Sequence, residues 1–262
     1  MILLTGSSGF IGKHFCKYLH NHDVLLIDVD DAYRFLREFN EWEKISLIIH
    51  QGAISSTTEK NINTLHHYNV YFTIQLLEHA IQHDIPVKYA SSASVYGNTK
   101  GQINPLNQYA ISKLQIDYAV LDSLDKFSLI QGFRYFNVYG EGEDHKGDQA
   151  SPISKFTKQS KETGKIKLFE GSDQFFRDFV YVNDIIDIVI NNDAPSGVYD
   201  IGTANPISFQ EVAELVAKKE GSEIDYIPFP DHLKTKYQTH TCADMSWLPK
   251  YNFKSVKEYL LA

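Results

Sequence analysis

Along the first half of the chain, short runs of continuous apolar residues alternate with stretches whose apolar positions recur every three or four residues. Ile2–Thr5 is apolar and stops at Gly6. Phe10, Ile11, Phe15, Tyr18 and Leu19 then share one helical face. Val24–Ile27 ends at Asp28, and Ile45–Ile49 is a third apolar run. Val70, Phe72, Ile74, Leu77 and Ile81 predict a helix over 69–81. Val87–Ala90 is a fourth strand ending in Ser91-Ser92, followed by a helix over 109–124 and a fifth strand, Phe127–Phe133. Strands of four to seven residues separated by helices predict βαβ crossovers and a parallel sheet. Unbroken apolar strands suit such a sheet, because helices cover both of its faces.

From about Glu141 the rhythm changes. A polar, glycine-rich loop (141–152) precedes a basic helix from Ile153 to Lys161, a strand Ile166–Phe169, and a strand leading into a helix over 175–185. The stretch 208–221 reads as an amphipathic helix, with Ser208 as N-cap, Glu211 completing a capping box and Gly221 at the C-terminal end. The organisation expected is a dinucleotide-binding domain over 1–140 and a small C-terminal substrate-binding lobe over 141–262. A later strand and helix, about 178–203, is expected to rejoin the first domain.

The 262 residues suit one α/β unit with a modest second lobe. The apolar share of 43% and the charged share of 22% are ordinary globular usage. No apolar run approaches the ~20 residues that span a bilayer. The N-terminal run lacks a basic region and reads as a strand rather than a signal peptide. Cys16 and Cys242 fit no metal spacing, and a reduced, cytoplasmic setting is expected. The net charge of −8 argues against nucleic acid as a partner but leaves an anionic small molecule open. His79 with His83, and His66 with His67, have no third ligand placed, so no metal site is expected.

Gly6, Gly9 and Gly12 form GxxGxxG directly after a strand and at the opening of a helix. Gly6 permits the tight turn, Gly9 a close approach to a pyrophosphate, and Gly12 close packing of helix on sheet. Amides of the first helical turn then face the anion, with the positive end of the helix dipole behind them. This context predicts a Rossmann-type doubly wound sheet that binds a dinucleotide. Asp28, at the end of the second strand, is placed to accept hydrogen bonds from the adenosine ribose hydroxyls. Its charge, with Asp30 and Asp31, opposes a 2′-phosphate and points to NAD, while Arg34 and Arg37 offset part of it. A helix N-cap near Asp30 explains part of the same acidic cluster.

Tyr109 and Lys113 form YxxxK at a predicted helix start, which places both side chains on one face. A phenol titrating near ~10 is a poor base at neutral pH. An ammonium ~4 Å away is worth up to ~4 kcal/mol at an effective dielectric of ~20, enough to bring the phenolate within reach. The phenol then takes the proton of a sugar hydroxyl while the hydride leaves the same carbon. Ser92, just past the carboxyl end of a parallel strand, is placed to hydrogen-bond the reacting oxygen. Ser91 and Ser94 are expected to cap local backbone.

These residues, together with the runs at 50–59, 89–97, 105–113 and 132–140, make the chain resemble the extended short-chain dehydrogenase/reductases. The later runs, Asp144-His145-Lys146-Gly147, 167–184 and 224–245, are similar to those of ADP-L-glycero-D-manno-heptose 6-epimerases. The resemblance covers nearly the whole chain. It implies a nucleotide-sugar epimerase that inverts carbon 6 of ADP-glycero-manno-heptose, a lipopolysaccharide precursor, by transient oxidation with tightly bound NADP. It assigns Tyr109 as one acid/base and Lys146 as the second. It places Phe10, Ile11, Gln51, Gly52, Ala53, Asn69, Lys113 and Val138 along the cofactor. Asn137, Phe169, Glu170, Gly171, Ser172, Arg177 and Tyr237 are assigned to the ADP-sugar. A diphosphate suits the forked donors of Arg177, and an ion pair with Asp178 is the plain alternative for that side chain. For Lys146 the plain alternative is a solvated loop lysine. For the serine-rich run after Ala53 it is a capping box of Ser56 with Glu59.

The chain also departs from that family. The stretch between Asp28 and Ile45 is shorter, and the family's lysine after the second strand has no counterpart. Asp148 stands where the family has serine, and Lys155 where it has histidine. NADP by resemblance and NAD by charge therefore stand side by side. Another nucleotide-sugar 4-epimerase is the alternative function, followed by a dehydratase and by a non-catalytic dinucleotide-sensing module. Dehydratases of this superfamily place Thr-Asp-Glu where this chain has Ser92-Ala93-Ser94, which removes their acid and base. A module that only senses a dinucleotide has no need of both Tyr109 and Lys113. A homo-oligomer is expected.

Overall fold

The computed structural model describes residues 1–99, 101–230 and 238–261. The chain divides into two compact units. The first comprises 1–95, 103–135 and 186–200; the second comprises 96–102, 136–185 and 201–262.

The first unit is built on the apolar runs of the N-terminal half. Its elements are Ile2–Thr5 (β1), Phe10–Tyr18 (α1), Val24–Ile27 (β2), Ala32–Glu38 (α2), Leu47–His50 (β3), Ile62–Leu65 (α3), Phe72–Gln82 (α4), Val87–Ser92 (β4), Gln108–Leu121 (α5) and Ile130–Tyr135 (β5). β1 pairs in parallel with both β2 and β3, β3 with β4, and β4 with β5. The six-stranded sheet runs β2-β1-β3-β4-β5 and ends on a later strand, Gly197–Ile201. The order reverses at β1, which makes the sheet doubly wound. The expected α/β, Rossmann-type parallel sheet is therefore the fold. Its core is the row of strand residues Leu3, Ile48, Val87 and Ile130 with Leu76 of α4, each fully buried. Each such side chain contributes roughly 1.5–3 kcal/mol on leaving water.

Three boundaries differ from the sequence reading. Ile45 is buried but closes a 3-10 turn, its amide donating to Trp42, so the third strand begins at Leu47. Phe127 likewise closes a turn, on Leu124, and β5 begins at Ile130. Both residues fill the core without joining the ladder, which is why apolar runs overstate strand length. The helix read from Asn69 begins instead at Ile62, and His66–Tyr71 is a π-helical stretch between α3 and α4. The run at 54–61 is not helical. Asn61, rather than Ser56, is the N-cap, its side chain accepting from the Thr64 amide.

Among the described residues the second unit holds three small strand pairs. Asn137–Tyr139 (β6) lies parallel to a later strand, Phe179–Tyr181. Lys165–Phe169 (β7) is parallel to Glu223–Ile227, and Phe176–Arg177 (β8) is antiparallel to Ile207–Ser208. Pro152–Thr163 (α6) is capped by Ser151 and ends at left-handed Gly164. Phe209–Glu220 is capped by Ser208 and ends at Gly221, as read from the sequence. Among the described residues no helix is long and apolar enough to cross a membrane.

Candidate functional site

In the first unit the glycine turn, the end of β3 and the start of α5 form one connected cluster. Gly6 has φ +71, and a Cβ there would lie 2.6 Å from the Cα of Gly52. Only glycine therefore allows the turn to press against the end of β3. A Cβ on Gly12 would lie 2.0 Å from the Gly6 carbonyl, so α1 also packs on the turn through a glycine. Gly9 is the N-cap of α1 in ordinary extended geometry and brings no capping side chain. Phe10 and Ile11 open the helix behind it.

Asp28 leaves the end of β2 and holds this turn. Its carboxylate accepts the Ser8 amide at 2.7 Å and the Val29 amide at 2.8 Å. Burial pushes its pKa up, but the bonds from Ser8 and Val29 outweigh burial and leave it below the ordinary value. No capping side-chain bond is found at α2, whose N-cap is Asp31; Asp31 pairs with Arg34 instead.

A buried hydrogen-bonded chain runs from the turn to α5. The Gly52 amide donates to Thr5 Oγ1 at 3.1 Å. Thr5 Oγ1 lies 2.6 Å from Nδ1 of His50, and Nε2 of His50 lies 2.9 Å from Thr73 Oγ1. Thr73 donates to the Asn69 carbonyl at 2.8 Å. Asn69 sits in the π-helical stretch, where its side chain accepts from the Ile54 amide and donates to the Ile54 carbonyl and to Ser112 Oγ. Ser112 donates to the Tyr109 carbonyl at 2.7 Å. Burial and the charge of Lys113 hold the pKa of His50 down to about 3. Thr5, His50, Thr73 and Ser112 escaped the sequence reading, because a polar residue at the end of an apolar strand gives no sign of its partners.

Tyr109 and Lys113 are both buried on α5, whose N-cap Asn107 accepts the Ala110 amide at 2.9 Å. Burial raises the pKa of the Tyr109 phenol, and a hydrogen bond with Ser92 lowers it in part. Lys113 donates to the Ala90 carbonyl at 2.8 Å. Burial brings its pKa down to about 8, against the attraction of Asp117. From sequence, the ammonium is expected to be the main influence on the phenol. Desolvation and Ser92 govern Tyr109 instead, because the lysine amine is committed to a β4 carbonyl. Ser92 Oγ accepts the Ser94 amide at 3.2 Å, so the local capping expected of Ser91 and Ser94 falls to Ser92. The hydroxyls of Ser91 and Ser94 are buried without a hydrogen-bond partner among the described residues.

Next to these lie the Gln51 amide and the Tyr135 hydroxyl, both buried. They face each other, and the amide lowers the phenol pKa that burial raises. Even so, neither meets hydrogen-bond geometry with any described residue. A buried amide with donor and acceptor both unmet costs free energy until a ligand or water fills it. Together with the glycine cradle and the uncapped start of α1, it fits a dinucleotide with an amide-bearing ring.

The remaining predicted residues lie in the second unit. Asn137 and Val138 are in β6; the Asn137 amide donates to the Asp178 carbonyl. Phe169 ends β7, the Glu170 amide donates to Ile227, Gly171 is left-handed, and Ser172 donates back to the Phe169 carbonyl. Arg177 is buried. Its guanidinium donates to the Phe176 and Gln238 carbonyls and lies 5.2 Å from the centre of the Phe209 ring. The carboxylate of Asp178 accepts instead from Thr203, Ala204 and Ala243. Lys146 lies in the 3-10 turn Asp144–Gln149 and is half-buried, with Glu143 3.8 Å away. Burial lowers its pKa, Glu143 raises it, and Lys155 lowers it further. Tyr237 and the side chain of Asp148 lie outside the described residues. No group of three or more metal-ligating side chains is found among the described residues.

A model of the NAD dependent epimerase/dehydratase family matches residues 2–202. The chain belongs to this family. The matched span includes the parallel sheet, the glycine turn and YxxxK. Among solved structures of similar fold is the ADP-L-glycero-D-manno-heptose-6-epimerase of Helicobacter pylori. It is 28% identical, with a TM-score of 0.83, covering 99% of this chain and 93% of that one. A second is the UDP-N-acetylglucosamine 4-epimerase of Methanobrevibacter ruminantium, 20% identical, with a TM-score of 0.84 and coverage of 99% and 96%. A third is MoeE5, solved with UDP-glucuronic acid and NAD, 24% identical, with a TM-score of 0.79 and coverage of 99% and 96%.

Proposed function

We propose that this chain is a nucleotide-sugar epimerase that inverts carbon 6 of ADP-glycero-manno-heptose, using bound NAD. The observation that carries the reading is the pairing of the buried Tyr109 phenol with the half-buried Ser92 at the carboxyl end of β4, on the helix that carries Lys113 and in the same unit as the glycine turn. The likeness to the Helicobacter pylori enzyme and the late motifs support the sugar. Such an enzyme would serve lipopolysaccharide precursor synthesis.

Gly6, Gly9, Gly12 and the start of α1 would hold the pyrophosphate, with Asp28 at the ribose and Gln51, Gly52, Ala53, Asn69 and Val138 along the rest. Bound NAD supplies the hydride acceptor and, when oxidised, a positive charge. The charge of Asp28 favours NAD over NADP. Ser92 orients the substrate hydroxyl, and Tyr109 takes its proton. Lys113, protonated at neutral pH, holds α5 to β4 through the Ala90 carbonyl. Inversion needs a proton-transfer group for each face of the transient ketone. A single phenol serves one face, and Lys146 is assigned to the other. Asn137, Phe169 to Ser172, Arg177 and Tyr237 are assigned to the ADP-sugar.

The test is incubation of the purified chain with ADP-D-glycero-D-manno-heptose, followed by NMR of carbon 6, with the released cofactor weighed by mass spectrometry. Epimerisation without added cofactor, abolished in Tyr109→Phe, is expected. Inversion of UDP-glucose at carbon 4 with no reaction at the heptose would establish the 4-epimerase alternative instead.

A further inference from the structure

Lys146 is carried by an irregular segment of the second unit, and the anchoring of that segment converges on one side chain. Glu143 is 2% exposed. Its Oε1 accepts the Gly140 amide at 3.1 Å and the Ser151 hydroxyl at 2.8 Å, and its Oε2 accepts the Ser151 amide at 2.6 Å. The Lys146 amide donates to the Glu143 carbonyl at 2.8 Å. One carboxylate therefore ties the residue that leaves β6 to the N-cap of α6, with Lys146 on the span between.

These three donors are two backbone amides and a hydroxyl. A neutral glutamine oxygen would satisfy any one of them without the cost of burying a charge. What the charge adds is attraction for the ammonium of Lys146, 3.8 Å from Oε2. That distance is too long for a hydrogen bond, so the pair is held by Coulomb attraction rather than by a bond that would fix the ammonium's protons. We propose that Glu143 is the positioning residue of Lys146: it clamps both ends of the segment and supplies the fixed negative charge against which the ammonium is set. The functional part of this proposal rests on the assignment of Lys146 as an acid/base. Glu143 opposes the two influences that discharge Lys146, its burial and the ammonium of Lys155 on α6.

The test reads Lys146 directly. The full chain, without substrate, is acetylated with limiting acetic anhydride across a pH series, and the Lys146 peptide is followed by mass spectrometry. In Glu143→Gln the midpoint for Lys146 is expected to fall by about one pH unit. In parallel, kcat for epimerisation should fall about tenfold or more while KM stays within about twofold, because positioning rather than binding is lost. Glu143→Asp keeps the charge and should recover part of both. If Glu143→Gln fails to fold, the shorter carboxylate of Glu143→Asp carries the test, with a smaller fall in the same midpoint. A midpoint unmoved in whichever variant folds would overturn the proposal. A shifted midpoint in a chain that turns over no nucleotide sugar would support the coupling and count against the epimerase reading alone.

Discussion

A histidine whose two ring nitrogens both meet threonine hydroxyls has its tautomer set by the hydrogens around it. Thr73 gives its proton to the Asn69 carbonyl, so it can only accept from Nε2 of His50; Thr5, which accepts the Gly52 amide, must then donate to Nδ1. The ring is neutral, with its hydrogen on Nε2. A second hydrogen on Nδ1 would oppose the Thr5 hydroxyl in a buried site next to Lys113. The sign follows from the depressed pKa. The contribution to stability is fully present above the unfolded value near ~6.5 and is lost as pH falls towards 3. Between pH 7 and pH 5 the loss is on the order of 2 kcal/mol from this residue alone. His50→Gln keeps one donor and one acceptor but cannot titrate, so urea unfolding at the two pH values should show a flatter dependence in the variant. Equal losses in both proteins would mean that His50 is not the group that resists protonation.

At the scale of elements, α5 opens on a cap that the sequence reading did not name. Asn107 stands before a helical pattern that carries Tyr109, and the structure uses it as the N-cap, its side chain accepting the Ala110 amide. Removing a capping acceptor costs about 1 kcal/mol. For a chain of this length, Asn107→Ala should lower the melting temperature by about 2–4 °C, whereas Asn107→Asp should leave it within about 1 °C. Because the lost bond lies one residue from Tyr109, kcat should fall in Asn107→Ala by more than the stability loss explains; an unchanged kcat would separate the cap from the site. Strands, glycine turn and YxxxK were legible because each is a local pattern of period, spacing or backbone freedom. The π stretch at 66–71 was not. It keeps apolar residues at helical spacing, and its distinguishing contacts, from Asn69 to Ile54 and Ser112, join positions far apart in sequence. The Glu143 clamp was hidden for a related reason. In an acidic, glycine-rich loop nothing marks one carboxylate as buried.

Across the whole molecule, buried cations and buried phenols set opposing trends of stability with alkali. Lys113 is fully buried and titrates at about 8, and burial also lowers the pKa of Lys88, whose ammonium donates to the Val189 and Ile190 carbonyls. Between the folded value near 8 and the unfolded value near ~10.4, the unfolded chain binds more protons than the native one. Stability therefore rises with pH in that window. Burial also raises the pKa values of the Cys16 thiol and of Tyr33, Tyr89, Tyr109, Tyr135, Tyr139, Tyr181, Tyr199 and Tyr259, and these act in the opposite direction as unfolded thiols and phenols begin to ionise above ~8 to 9. From pH 7 to 9.5 the gain from Lys113 is about 2 kcal/mol. Lys113→Met removes that titration together with the bond to Ala90, so the comparison lies in the slopes rather than in the absolute stabilities. Melting temperatures taken at pH 7, 8, 9 and 9.5 should show the native chain gaining on the variant as pH rises, because the other titrating groups are common to both. Parallel slopes would show that Lys113 is not discharged near pH 8 inside the fold.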